Sequence, residues 1–132
     1  MRLSRWEEHL SDYIASKRHE PFQYGSNDCA HFVAGAVEAV TGEDPMPELR
    51  GQYDSEFGSL RVMTQIAQGS LEATVDAKFP VIGIGHAQRG DIAFFDGSIG
   101  VVMGSFAWFV SDEGLEQVPR SMWDKAWSVG RG

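Results

Sequence analysis

The apolar residues of this chain change period once, near residue 90, and that change limits the fold more than any single motif does. Before it they recur every three or four residues over about 4–18, 28–41 and 55–68, the spacing of amphipathic helices. From Asp91 onward they fall into short β-branched and aromatic runs, Ile92-Ala-Phe-Phe95, Ile99-Gly-Val-Val-Met103, Phe106-Ala-Trp-Phe-Val110 and Leu115-Glu-Gln-Val118. Asp96-Gly97, Gly104-Ser105 and Asp112-Glu-Gly114 separate these runs, and Asp-Gly is a strong hairpin signal. Helices first and a meander second predict an α+β domain: N-terminal helices packed on a C-terminal antiparallel sheet of about four to five strands. A chain of 132 residues holds one core of this kind, so 1–132 is read as a single domain.

The first helix carries Trp6, Leu10, Tyr13 and Ile14 on one stripe. Ser4 and Glu7 have the spacing of a capping box. The third is expected to turn Phe57, Leu60, Met63 or Thr64, Ile66 and Ala67 inward and to stop at Gly69, and Leu71–Lys78 reads as a short helix or coil. Pro80–Gly90 is glycine-rich but lacks the Gly-Lys-Ser/Thr ending of a phosphate loop.

Between these lies the stretch from Tyr24 to Gly42. Ser26 or Asn27 can cap the helix that follows, Asp28 places negative charge at the positive end of its dipole, and Gly42 supplies the left-handed stop. Cys29, Phe32, Val33, Ala36, Val37 and Val40 share one stripe, with His31, Ala34, Gly35 and Glu38 opposite. The chain's one thiol therefore sits in a first turn and faces whatever the helix packs on. Such a position favours thiolate, whereas a lone cysteine on an apolar stripe also reads as a small core hydrophobe. Both readings stand at this point.

Composition excludes more than it assigns. A net charge of -8 with scattered Lys and Arg argues against nucleic acid, whose phosphates require a basic face. No apolar run reaches spanning length, and the first eight residues hold no signal-peptide core. No membrane span is expected, and cytoplasmic synthesis is the expectation. One cysteine excludes an internal disulfide and a multi-cysteine zinc site; no metal or cofactor is expected.

Taken in order, Asp28-Cys29, Arg89-Gly90-Asp91-Ile-Ala-Phe-Phe95 and Ile99-Gly100-Val-Val-Met-Gly104 resemble the NlpC-type cell-wall peptidases, a papain-like family, over roughly residues 22–110. The chain is also similar to a group of bacteriophage and prophage proteins. That likeness rests on Tyr24-Gly25, Asp28-Cys29, Thr41-Gly42, Asp44-Pro45, Arg50-Gly51, Tyr53 and Ala126-Trp127. The resemblance implies a papain-like NlpC-type fold, with Cys29 as nucleophile and Asp28 beside it. It also implies a tail-assembly or tail-tip role, with phage tail proteins as partners and peptidoglycan peptides as a second class. The location implied is the bacterial cytoplasm during assembly and then the virion tail.

One departure matters. The family's histidine opens the second strand, and here that position is Ser98. Serine is no base at neutral pH, so the Cys-His dyad that thiol catalysis needs is incomplete. His31 lies about 200° round the helix from Cys29, and His9 and His19 read as surface residues. His86 is the remaining candidate base. The expectation is thus a catalytically degenerate peptidase fold. An active amide hydrolase using Cys29 is the rival, and a peptide- or glycan-binding module the third reading. Tyr24, Trp108 and Trp123 are the candidate groove aromatics, and Trp123, among polar neighbours, is the one expected to be exposed.

Overall fold

The computed structural model describes residues 1–65 and 69–130, the side chains of 63–65 excepted. Four helices precede most of the sheet: α1 (Trp6–Lys17), α2 (Cys29–Thr41), α3 (Glu56–Gln65) and α4 (Leu71–Asp76). The strands are β1 (Val81–Ile82), β2 (Ile92–Phe95), β3 (Ser98–Val102), β4 (Phe106–Ser111), β5 (Gly114–Pro119) and β6 (Lys125–Trp127). They form one six-stranded sheet in the order β1-β6-β2-β3-β4-β5, every pairing antiparallel.

The α+β expectation holds, with two strands more than the short runs revealed. β1 lies before residue 91, where no strand was expected, and β6 inserts between β1 and β2. Both are short and pair across a long sequence separation, so neither carries a local turn signal. The β2–β3 hairpin turns at Asp96-Gly97 with φ of 51° and 77°, the left-handed pair that a two-residue turn matching the sheet twist requires.

Strand alternation divides the sheet cleanly. Ile92, Ile99, Val101, Trp108 and Trp127 face the helices, while Ala93, Val102, Ala107, Phe109 and Ala126 face the other way. The helix side is the main core, completed by Leu10, Phe32, Val33 and Val40; full burial of each large side chain there contributes about 1.5–3 kcal/mol. Trp123 covers the second face and is 5% exposed, which corrects its reading as an exposed aromatic. Its indole Nε1 donates to the Val118 carbonyl at 3.1 Å, and the Arg120 guanidinium lies over its ring at 4.9 Å. Arg120 also donates to the carbonyls of Ile84, Ala87 and Gly104, so one cation ties its own turn to two loops over this face.

Helix ends differ from expectation in two places. Ser4 does not cap α1: the N-cap is Arg5, at φ 64° and without a side-chain cap, because the chain enters from Leu3, whose N–H is bonded to Val40 O at 2.8 Å. The cap of α2 is Asp28, not Ser26 or Asn27. The Asn27 amide instead donates to the carbonyls of Glu20 and Pro21. Gly42 ends α2 at φ 85° as expected.

α2 is buried on nearly all sides, His31 and Ala34 included, so most of the side opposite the Cys29 stripe is core as well, Glu38 alone there being exposed. Gly35 makes this possible. A Cβ there would lie 2.3 Å from the Tyr13 hydroxyl oxygen, and that hydroxyl donates to the Phe32 carbonyl at 2.8 Å. Among the described residues of α3, Gly58 and Val62 are buried, whereas Phe57 and Leu60 are 76% and 63% exposed. The inward assignment of Phe57 and Leu60 is thus reversed, because the glycine lets the helix lie against Tyr53. Ile66 and Ala67, and the side chains of Met63 and Thr64, fall outside the described residues.

Among the described residues no helix is long and apolar enough to cross a membrane, and no group of His, Cys, Asp and Glu is arranged to hold a metal.

Candidate functional site

The loop before α2 is shaped by one glycine. Gly25 has φ 84°, and a Cβ on it would lie 2.0 Å from the Tyr53 carbonyl oxygen, so only glycine brings the 24–28 loop so close to the 50–53 loop. That approach builds a buried polar cluster around Asp28. Oδ1 accepts from the His31 backbone N–H at 2.9 Å and lies 2.8 Å from His31 Nδ1. Oδ2 accepts from Gly25 N–H at 3.0 Å and from the Tyr53 hydroxyl at 2.6 Å. Burial alone would raise the Asp28 carboxyl, but the bonds from His31, Tyr53 and Gly25 outweigh it and hold it below the usual carboxylate range. Burial, then the bond to Asp28, pushes the Tyr53 phenol up. The His31 ring stands edge-on to Tyr53, centroids 5.5 Å apart, and its buried Nε2 has no partner among the described residues.

Cys29, the next residue, is half-buried and faces β3. Burial pushes its thiol up to about 11. The Ile99 N–H draws it down, the Asp28 charge raises it, and the Ala30 N–H and Ser98 hydroxyl lower it slightly. The first-turn location is therefore outweighed by desolvation and a neighbouring carboxylate.

Cys29 opens on a cleft of about 410 Å³ walled by Phe22, Tyr24, Tyr53, Leu60 and Leu71, with Ser98 on the sheet side. The residues predicted for the site divide accordingly. Asp28, Cys29, Tyr24 and Ser98 meet at this cleft. Trp108 does not: it is 6% exposed in the core between sheet and helices, with the Arg18 guanidinium 4.4 Å over its ring. Trp123 lies on the opposite face of the sheet. His86 is exposed in the single turn after β1 (Ile84–His86) and does not line the cleft. Neither does His31, despite its contact with Asp28.

Sequence reasoning missed the Asp28–His31–Tyr53 cluster. One signal was present: Asp28 and His31 have N-cap to N3 spacing, at which side chains exchange bonds across a first turn. The role of Tyr53, 25 residues away, had no such local sign. The dispersed motif pieces do converge in space. Tyr24, Asp28, Cys29 and Tyr53 line the cleft, while Asp44 accepts from Arg50 and from Met46 N–H, each at 2.9 Å, in the adjoining loop.

No curated protein matches the chain. A family model described as "Domain of unknown function (DUF6950)" matches residues 1–129, which take in every helix and strand given above. The chain belongs to that family.

Proposed function

We propose that this chain is a papain-type, NlpC-like domain serving as a tail-assembly or tail-tip component of a phage or prophage, with a cysteine cleft that binds without hydrolysing. The observation that carries this reading is the company of the Cys29 sulfur: the Ser98 hydroxyl and the Ile99 amide rather than an imidazole. The resemblance expects a histidine at Ser98, and Ser98 does open the strand facing the cysteine. An active amide hydrolase needs a proton acceptor within about 3 Å of the nucleophile, and among the described residues no histidine lines the cleft. The tail assignment rests on the dispersed Tyr-Gly, Asp-Cys, Asp-Pro and Arg-Gly-x-Tyr pieces.

The test is the pH profile of Cys29 alkylation by iodoacetamide, read by mass. The rate should be very low at pH 7 and climb toward a midpoint near 11, and peptidoglycan stem peptides should stay intact. A midpoint below about 8, together with peptide cleavage lost in Cys29→Ala, would overturn the reading. Ser98→His should move the midpoint downward by placing an imidazole beside the sulfur. Co-purification from an infected or induced host should recover tail proteins, and their absence would remove the tail assignment.

A further inference from the structure

We infer that the Cys29 cleft is a docking groove for an extended, positively charged peptide segment that also carries apolar side chains. This ligand class rests on reading the cleft as a binding site rather than a working active centre.

Two features of the walls point to it. The first is charge. Among the described residues no Lys, Arg or His lines the cleft, while Asp28 does and Glu56 is close enough to raise the Tyr24 phenol, after burial. Asp96 adjoins Gly97 at the hairpin rim. Of the described cations, Lys125 is held by Glu72 and Asp76 at 3.0 and 2.7 Å, and Arg61 is exposed on α3 and does not line the cleft. Phe22 and Tyr24, edge to face at 4.7 Å, add ring faces of the kind that attract ammonium and guanidinium groups. An anionic ligand would meet repulsion throughout.

The second feature is apolar surface. Leu60 lines the cleft yet is 63% exposed, and Phe57 is 76% exposed. Single exposed apolar side chains are ordinary. These two are one turn apart on one side of α3 and continue the apolar wall outward, so a ligand longer than the cavity keeps apolar contact beyond it.

A peptide satisfies both features, with side-chain pockets for selection; a small cation satisfies only the first.

The experiment uses the whole chain and three fluorescein-labelled peptides of about ten residues: alternating Lys and Leu, the same with Glu for Lys, and the same with Ser for Leu. By anisotropy the Lys/Leu peptide should bind, the Glu/Leu peptide should not, and the Lys/Ser peptide should bind at least about tenfold more weakly. Leu60→Ser should weaken binding about tenfold and Glu56→Gln about threefold. Glu7→Gln, an exposed acid on α1, should leave it unchanged. Bound Lys/Leu peptide should also protect Cys29 from iodoacetamide at about pH 9.5, where the thiol begins to react. If Glu7→Gln weakens binding as much as Glu56→Gln, or if Cys29 is not protected, the peptide is held by overall charge and the inference fails. A peptide that binds and is cut sinks the reading without chemistry but leaves the ligand class standing. A protein with an inert Cys29 that binds no peptide sinks the ligand class alone.

Discussion

Asp28 and Asp91 are the two buried acids among the described residues. Each stands immediately before a major element, Asp28 before α2 and Asp91 before β2. Around Asp91, Arg2 donates to Oδ1 at 3.0 Å, Val129 N–H to the same oxygen at 3.0 Å, and Gln88 N–H to Oδ2 at 2.7 Å. Arg2 is itself bound to the carbonyls of Arg89 and Val129. That site closes on itself, with a permanent cation against the carboxylate, and it joins residues 2, 88, 91 and 129. No lysine or arginine reaches Asp28 among the described residues; its partners are an imidazole, a phenol and two amides. The contrast separates two uses of a buried charge. A paired carboxylate fastens distant segments, whereas one satisfied mostly by neutral donors still projects its negative potential onto its neighbours, here the thiol of Cys29.

The contrast can be broken by mutation. The largest effect is expected at the closed site. Asp91→Ala leaves the Arg2 guanidinium, itself largely buried, without its carboxylate and should lower stability by about 3–5 kcal/mol in urea unfolding. The alkylation profile of Cys29 should not move, and a shift would mean that the two sites are coupled. Next comes Tyr53→Phe, which removes a bond to a charged acceptor and should cost about 1.5–3 kcal/mol. A loss near zero would show that the 2.6 Å contact contributes little to stability.

The smallest effect is expected in acid. The folded Asp28 carboxyl lies below its unfolded value of 3.8. Its stabilising contribution is therefore complete above that value and is lost as the pH falls through the lower, folded one. Asp28→Asn should abolish this part of the acid sensitivity and also move the Cys29 alkylation midpoint to lower pH, since the carboxylate raises the thiol. If the midpoint stays in place, desolvation alone governs the sulfur.

What the sequence made legible was local. The period of α1 and α2, the Gly42 stop and the Asp96-Gly97 turn all depend on residues within a few positions of one another, and each is found as expected. The sheet edge was hidden because Val81–Ile82 pairs with residues more than 40 positions later, Trp127 and Ala126, and two-residue strands carry no period. Trp123 was misplaced because polar neighbours in sequence suggested solvent, but the packing that buries it comes from elsewhere, Arg120 and the second sheet face. The cleft was half visible. Cys29 and Ser98 could be placed from their elements, while the walls supplied by Leu60 and Leu71 depend on how α3 and α4 lie.

The position of β6 also bears on the order of folding. β1 has β6 as its neighbour in the sheet, and β2 is flanked by β6 on one side and β3 on the other. A growing polypeptide can zip β2 to β5 as successive hairpins, but β1 waits unpaired until residues 125–127 have been made. Closing that seam bridges more than 40 positions, the kind of distant pairing that slows folding. Until then the strand edge of β2 that β6 will cover lies open to any intruding strand, so misassembly should be most frequent before residues 125–127 have docked.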